Sequence, residues 1–243
     1  MKGVKGEIDQ RPRRFYAQAS AERLETGWAV RLDGRTILTP QRRELMAPNG
    51  DLARAIAEEW DRQEERIDLQ SMFATRMANV AIDRTPETRD ELAEEASRYA
   101  QTDLLCHLAD APVELRARQE AAFTPLRDWA GEALGVRLTP VVGLMPGDQP
   151  AASIAAARAH ALSLEDFRLT GLIYAIGLFG SAILGLALER GRLLALEAHD
   201  ISWIDETFQA SLWGEDELSR LRRERARAEA AALDAWFSAL NSG

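Results

Sequence analysis

Lysine is almost absent from this 243-residue sequence, and its distribution limits the chemistry that the protein can perform. It occurs only at Lys2 and Lys5, and every other basic residue is arginine. A Walker-type phosphate loop needs a lysine after its glycines at the start of a helix, and a Schiff-base enzyme needs a lysine in its folded body. Both kinds of site are therefore excluded beyond residue 5.

Cysteine is equally scarce, because Cys106 is the only one in the chain. No intrachain disulfide can form, which is typical of proteins in a reducing compartment. The surrounding segment, DLLCHL, is mostly apolar and predicts a small buried side chain rather than a nucleophile. The N-terminal residues contain no apolar run and do not form a secretory signal, so we predict a cytoplasmic protein.

Motifs that hold metals, nucleotides or catalytic triads are also missing from the sequence. The three histidines, His107, His160 and His199, form neither an HExxH motif nor a cluster with cysteine, and there is no GxSxG or GxGxxG segment. We therefore predict no metal, no cofactor and no catalytic motif that is local in sequence. An enzyme with a site at the junction of the β and α parts, using Asp103, His107 and arginine side chains, stays an alternative.

The order of predicted elements indicates an α+β protein. From Phe15 to Ala47 the sequence has β-favouring aromatics and the alternating segment WAVRL, and Asp33-Gly34 is a strong signal for a type I′ hairpin. Beyond that region the pattern is almost wholly helical, with Asp51 predicted as the first N-cap. We predict a flexible arm over residues 1–14, a small antiparallel β-rich N-terminal domain over 15–50 and a larger all-helical domain over 51–243.

A run of twenty uncharged residues, from Leu169 to Leu188, is long enough to span a membrane. However, it contains four glycines, and the segment from Gly177 to Gly180 is typical of a break between two shorter helices. We predict a buried helical hairpin without stable membrane insertion. A membrane span formed by this run is the alternative.

The segment from Gly191 to Gly214 predicts a single helix that a glycine closes at each end. Its large apolar residues fall within one arc of about 100° when they are placed on a helix, and Glu197 lies near the centre of that arc. A carboxylate on an apolar face is costly unless it is paired. We expect its partner to be an arginine of another protein or an internal arginine such as Arg158 or Arg168.

Seven acidic residues lie between Leu193 and Ser219 with no lysine or arginine among them, in a chain whose net charge is −9. This acidity disfavours nucleic-acid binding. Trp203, Phe208 and Trp213 are interleaved with the acids, a combination that is typical of a protein-docking surface. The alternative is an ordinary amphipathic core helix with a solvated acidic back.

The segment LEAHDISWIDETFQASLWGEDE, which ends at Glu217, resembles the signature of a family of ATP synthase assembly chaperones. Members of that family bind and shield the unassembled alpha subunit of the enzyme's catalytic head. Three further segments resemble the same family: FYAQASAERLETGWAVRLDGRTILTP, EEWDRQEERIDLQSMFATRMANVAID and YAQTDLLCHLADAPVELRARQEAAFTPLRDW. Together these segments reach from Phe15 to Glu217, whereas the last helix does not match the family.

The resemblance implies a two-part α+β chaperone with no nucleotide, no metal and no catalysis. Its implied partner is the unassembled ATP synthase alpha subunit, whose beta-facing surface it would shield, and we predict that the chaperone is a monomer. The functionally important glutamate of the family falls on Glu197. The predicted partner-binding residues are Glu197, Asp200, Trp203, Asp205, Phe208 and Trp213.

Overall fold

The β part is a four-stranded antiparallel sheet in the computed structural model, which describes residues 10–143 and 147–242. Its strands are β1 (Ala19–Leu24), β2 (Gly27–Leu32), β3 (Arg35–Thr36) and β4 (Met46–Ala47). Strand β2 is central, since it pairs with β1 along one edge and with β3 and β4 along the other. The sheet precedes a larger set of helices, so the predicted α+β class is confirmed.

The hairpin predicted at Asp33-Gly34 joins β2 to β3. Both turn residues have positive φ, +48° at Asp33 and +78° at Gly34, as a type I′ turn requires. The Asp33 carboxylate accepts hydrogen bonds from the backbone N–H groups of Gln18 and Ala17, and these bonds lower the pKa of Asp33. The turn therefore also fixes the chain that enters β1.

The helical part follows the sheet, together with a small parallel pair of strands, β5 (His107–Leu108) and β6 (Val141–Val142). Its helices are α1 (Gly50–Asp61), α2 (Phe73–Asp83), α3 (Thr85–Gln101), α4 (Val113–Leu134), α5 (Ala151–Ser163), α6 (Asp166–Phe179), α7 (Ala182–Glu189), α8 (Ala195–Ser202), α9 (Ile204–Trp213) and α10 (Glu217–Asn241). Helix α1 packs on β1 and β2, which joins the two parts.

The start of α1 differs from the prediction, because Asn49 rather than Asp51 is its N-cap. The side-chain oxygen of Asn49 accepts a hydrogen bond from the N–H of Leu52 at 2.9 Å, as a capping side chain does. Its amide nitrogen donates to the carbonyl of Ala239 at 2.9 Å. One side chain therefore begins α1 and also ties it to the end of α10.

The uncharged run from Leu169 to Leu188 forms most of α6 and all but the last residue of α7, as predicted for a helical hairpin. Gly180 ends α6 with φ +66°, and the Ser181 hydroxyl caps α7 by accepting from the N–H of Leu184 at 3.0 Å. Every residue of α7 is buried. Within the described residues, no helix combines the length and apolarity that crossing a membrane requires.

The hydrophobic core is continuous from the sheet to the last helix. It includes Val30 of β2, Ile56 of α1, Ile176 of α6 and Trp236 of α10. The predicted arm lies partly outside the described residues, which begin at residue 10. The remainder of the arm is bonded to the loop after α1, where the carbonyl of Pro12 accepts from Ile67 at 2.8 Å. The predicted boundaries between arm, β part and helical part stay predictions.

Candidate functional site

The predicted helix from Gly191 to Gly214 is two helices, α8 and α9, so the prediction of one continuous helix is wrong. The helices meet at Trp203, whose φ of −107° and ψ of 18° are not helical. The break follows from the packing, because α8 lies against α10 whereas α9 lies against α4. Both flanking glycines have the positive φ expected at a chain reversal.

Glu197 is exposed, and the expectation of a carboxylate on an apolar face is wrong. Its Oε2 accepts from the backbone N–H of Leu194 at 2.8 Å, and it lies in the first turn of α8, where a negative charge is favourable. The helical wheel misplaced it because the wheel treated residues before Ala195 and beyond Trp203 as one helix with Glu197, whereas α8 covers only Ala195–Ser202. Neither predicted internal arginine binds it, since Arg158 pairs with Asp90 and Arg168 pairs with Glu189.

The buried carboxylate of this region is Glu189, at the end of α7, with only 1% of its side chain exposed. Its Oε1 accepts from Arg168 Nε at 3.1 Å, and its Oε2 lies 2.8 Å from His160 Nε2. Burial alone would raise the pKa of Glu189, but the bonds and charges of His160 and Arg168 lower it overall. Arg168, which was expected to pair with Glu197, therefore pairs with Glu189.

The acidic stretch is partly neutralised in space, although no basic residue interrupts it in sequence. Within the described residues, three of its seven acids pair with arginines of α10: Asp200 with Arg227 at 2.8 Å, Glu215 with Arg223 at 2.8 Å, and Glu217 with Arg220 at 3.9 Å. The predicted surface of one charge sign is therefore a mixed surface. Arg220, Arg223 and Arg227 recur at helical spacing in α10, the last helix, which does not resemble the family.

The aromatic residues of the stretch divide into a buried one and exposed ones. Phe208 is only 6% exposed and lies under the Arg118 guanidinium, 5.0 Å from the ring centroid. Trp203 is partly buried and stacks on His199 with 5.9 Å between ring centroids. Trp213, by contrast, is 79% exposed at the end of α9. Of the three predicted aromatics, Trp213 has the side chain most open to a partner.

Trp213 is one of three large exposed apolar residues that lie close together in the sequence, with Leu212 and Leu218. These three residues, which we call the α9–α10 patch, flank the turn that joins the two helices. The acids Glu215, Asp216 and Glu217 lie in that turn or directly after it. Exposed apolar side chains with a polar rim are the usual composition of a protein-binding surface.

Asp200 and Asp205 lie on either side of the break at Trp203. Asp200 Oδ1 lies 3.0 Å from His199 Nδ1 and 2.8 Å from the Arg227 guanidinium. Asp205 accepts from the Gln119 amide of α4 at 2.7 Å. Both carboxylates therefore already join elements of this chain. The cavity beside Asp200, of about 390 Å³, is lined by His199, Asp200, Trp203, Thr207, Arg223, Glu224 and Arg227.

Asp103, a residue of the alternative enzyme site, is fully buried and serves the fold. Burial raises the pKa of its carboxyl, although hydrogen bonds from the Ile183 N–H and the Ser181 hydroxyl act in the opposite direction. It does not line the cavity beside Asp200. In the described part of the chain, no group of histidine, cysteine or acidic side chains is arranged to hold a metal ion.

An α+β fold that presents an exposed patch of apolar and acidic residues defines a candidate protein-binding protein. A model of the ATP12 chaperone protein family matches residues 13–131. The crystal structure of Atp12 from Paracoccus denitrificans is 40% identical, with 94% of this chain and 98% of that chain covered and a TM-score of 0.89. The chain belongs to the ATP12 chaperone family.

Two further solved structures are similar to this chain. A point mutant of the Paracoccus denitrificans protein has 40% identity and a TM-score of 0.87 over 94% of this chain and 96% of that one. A putative chaperone from Agrobacterium tumefaciens has 36% identity and a TM-score of 0.87 over 94% of this chain and 86% of that one. The uncovered 6%, about 15 residues, is shorter than the 25 residues of α10. Part of the unassigned last helix is therefore shared with these structures.

Proposed function

We propose that this protein is a chaperone for ATP synthase assembly, which binds the unassembled alpha subunit and shields its beta-subunit-facing surface from aggregation. Membership of the ATP12 chaperone family supports the chaperone class. The resemblance of the segment ending at Glu217 to the family signature supports the client. The role is binding rather than catalysis, and the proposed location is the bacterial cytoplasm, consistent with relatives from Paracoccus and Agrobacterium.

The observation that carries this proposal is the exposure of the α9–α10 patch. An unassembled subunit exposes apolar surface that would otherwise aggregate, and apolar side chains of a chaperone cover such surface. Trp213 supplies the large aromatic anchor that dominates many protein interfaces. The acids around it supply a polar rim, which suits a complex that must later dissociate.

The predicted contact residues take different roles in this proposal. Trp213 and Glu197 reach the client directly, because both are exposed. Asp200 and Asp205 hold the surface in place through Arg227 and Gln119. Phe208 and Trp203 anchor α8 and α9 from beneath, because both are at least partly buried.

The test is co-purification of this chain with separately expressed alpha and beta subunits, followed by a titration of the alpha subunit. We expect capture of the alpha subunit alone. Trp213→Ala should weaken it by about 2 kcal/mol, or roughly thirtyfold, as loss of an aromatic anchor does. Val113→Ala removes an exposed apolar side chain elsewhere, at the start of α4, and should change nothing. Equal binding by both variants would refute the proposed surface.

Two alternatives can be separated from this function by simple observations. An enzyme would need reactive groups that converge on an open cleft, whereas Asp103 is sealed in the core. A membrane-anchored factor would be recovered in the pellet when cells are fractionated without detergent. In the described residues, the run that suggested an anchor is a buried hairpin.

A further inference from the structure

The β part contains a groove that the proposed client surface does not use. It has a volume of about 620 Å³, within the range of about 300–1,000 Å³ that is typical of ligand pockets. Its walls come from the sheet, from the chain before β1 and from α1: Phe15, Tyr16, Leu32, Asp33, Arg35, Thr36, Ile37, Leu38 and Trp60. It lies within the residues that the family model matches, whereas α8, α9 and α10 lie outside them.

The apolar side chains of this groove, which we call the β groove, are not all needed for the core. Phe15 is 74% exposed and Leu38 is 54% exposed, so two large apolar side chains stand at its rim in water. The floor is rigid, because the Tyr16 hydroxyl donates to the carbonyl of Trp60 at 2.6 Å and the two rings meet edge to face. A fixed floor with exposed apolar rims is suited to receive apolar side chains.

The charged groups of the β groove favour an acidic occupant. Arg35 is exposed, and among the described residues no hydrogen bond or salt bridge engages its guanidinium. Asp33, the acid beside it, is already bonded to the backbone of Ala17 and Gln18. An incoming carboxylate would therefore meet an arginine that has no hydrogen bond or salt bridge to break, and it would share the charge of that arginine with Asp33.

The charge of the β part differs from that of the rest of the chain. Residues 15–50 contain five arginines and four acidic residues, a net charge of +1, in a chain whose net charge is −9. An acidic segment therefore meets less repulsion at the β part than elsewhere on this protein.

We propose that the β groove is a second protein-binding site, which takes an extended apolar segment of a partner with a carboxylate next to Arg35. The rim residues Phe15 and Leu38 cover the apolar side chains of that segment. This site acts independently of the α9–α10 patch, so that one chaperone can hold a partner at two points. Two weak contacts on one chain give tighter overall binding than either alone.

The test measures, by fluorescence anisotropy, the binding of a short fluorescein-labelled peptide of alternating leucine and glutamate to the full chain. We expect saturable binding that Leu38→Ser or Arg35→Glu weakens about tenfold or more, because each removes one component of the site. Val113→Ser and Arg222→Glu are the matched controls, since they make the same kinds of change at exposed positions far along the chain. Both controls should bind within about twofold of the wild type.

Several results would overturn this proposal. The counterpart peptide with lysine in place of glutamate should bind at least about tenfold more weakly, and equal binding would remove the role of Arg35. Self-association in sedimentation that Leu38→Ser abolishes would make the occupant a second copy of this chain. Cosedimentation with anionic vesicles, but no peptide binding, would make it a lipid surface. Trp213→Ala should leave peptide binding unchanged, so failure here is distinct from failure of the alpha-subunit proposal.

Discussion

The substitution Glu189→Gln, at a buried carboxylate, should destabilise the folded protein more than the same change at an exposed glutamate. Glu189 is 1% exposed and is held by Arg168 and His160, which come from α6 and α5. Breaking a buried ion pair by removing one partner typically costs about 3–5 kcal/mol. Glutamine keeps the size of the side chain and one hydrogen-bond acceptor, and Arg168 and His160 are partly exposed to water. We therefore expect the free energy of unfolding to fall by about 2–3 kcal/mol.

The matched control is Glu197→Gln, because it is the same change at an exposed acid on a neighbouring helix. The amide oxygen can still accept from the Leu194 N–H, so we expect a loss below about 0.5 kcal/mol. The measurement is urea unfolding at pH 7, followed by circular dichroism, with the slope checked for each variant. Equal losses at the two positions would refute the view that Glu189, not Glu197, is the structural acid.

The same pair of variants has a characteristic pH dependence. The pKa of Glu189 is lowered in the folded state, so its contribution is fully present above the ordinary pKa of glutamate. That contribution is lost as the pH falls through the lowered folded value. The difference in unfolding free energy between wild type and Glu189→Gln should therefore be constant near neutral pH and shrink in acid. A difference that grows in acid would contradict the assigned ion pair.

Three further substitutions test the fold. Gly171→Ala places a Cβ 2.7 Å from Trp236 Nε1 and 2.8 Å from Phe237 Cζ, and should cost about 1–3 kcal/mol in urea unfolding. Glu59→Ala leaves the buried N–H groups of Ala74 and Thr75 unpaired, so it should lower the thermal midpoint and cost about 1–3 kcal/mol in the free energy of unfolding. Glu58→Ala, the same change at the exposed neighbour, should not cause this loss. Burial raises the pKa of Asp103, so the contribution of this carboxyl to stability is lost as pH rises from the ordinary aspartate pKa through the folded value. The unfolding free energy of wild type minus that of Asp103→Asn should therefore fall with rising pH across that window, and a difference that rises instead would contradict the assignment.

The parts of the fold that depend on local chemistry were predictable from the sequence. The type I′ turn at Asp33-Gly34 follows from the two residues themselves, and the hairpin of α6 and α7 follows from the glycines within an uncharged run. The N-cap of α1 was not predictable in the same way. Asn49 and Asp51 are both capable caps, and Asn49 is selected by its second bond to Ala239, a residue far along the chain.

The candidate site was less predictable because its helices bury different faces. A helical wheel for the segment from Gly191 to Gly214 assumes one axis, but α8 packs on α10 and α9 packs on α4. The change of axis at Trp203 moves Glu197 from the calculated apolar arc to the surface. Only the tertiary contacts reveal this, since nothing in the local sequence forbids a continuous helix.

The charge of the candidate site also depends on tertiary contacts. Acids that follow one another in sequence attract the arginines of α10, and solvent-exposed pairs of this kind contribute little to stability. They do, however, remove much of the negative field that the sequence alone suggests. A partner that reaches this surface therefore meets the apolar side chains of the α9–α10 patch more than an acidic field. For that reason, the aromatic Trp213, rather than any one acid, should decide how tightly a client is held.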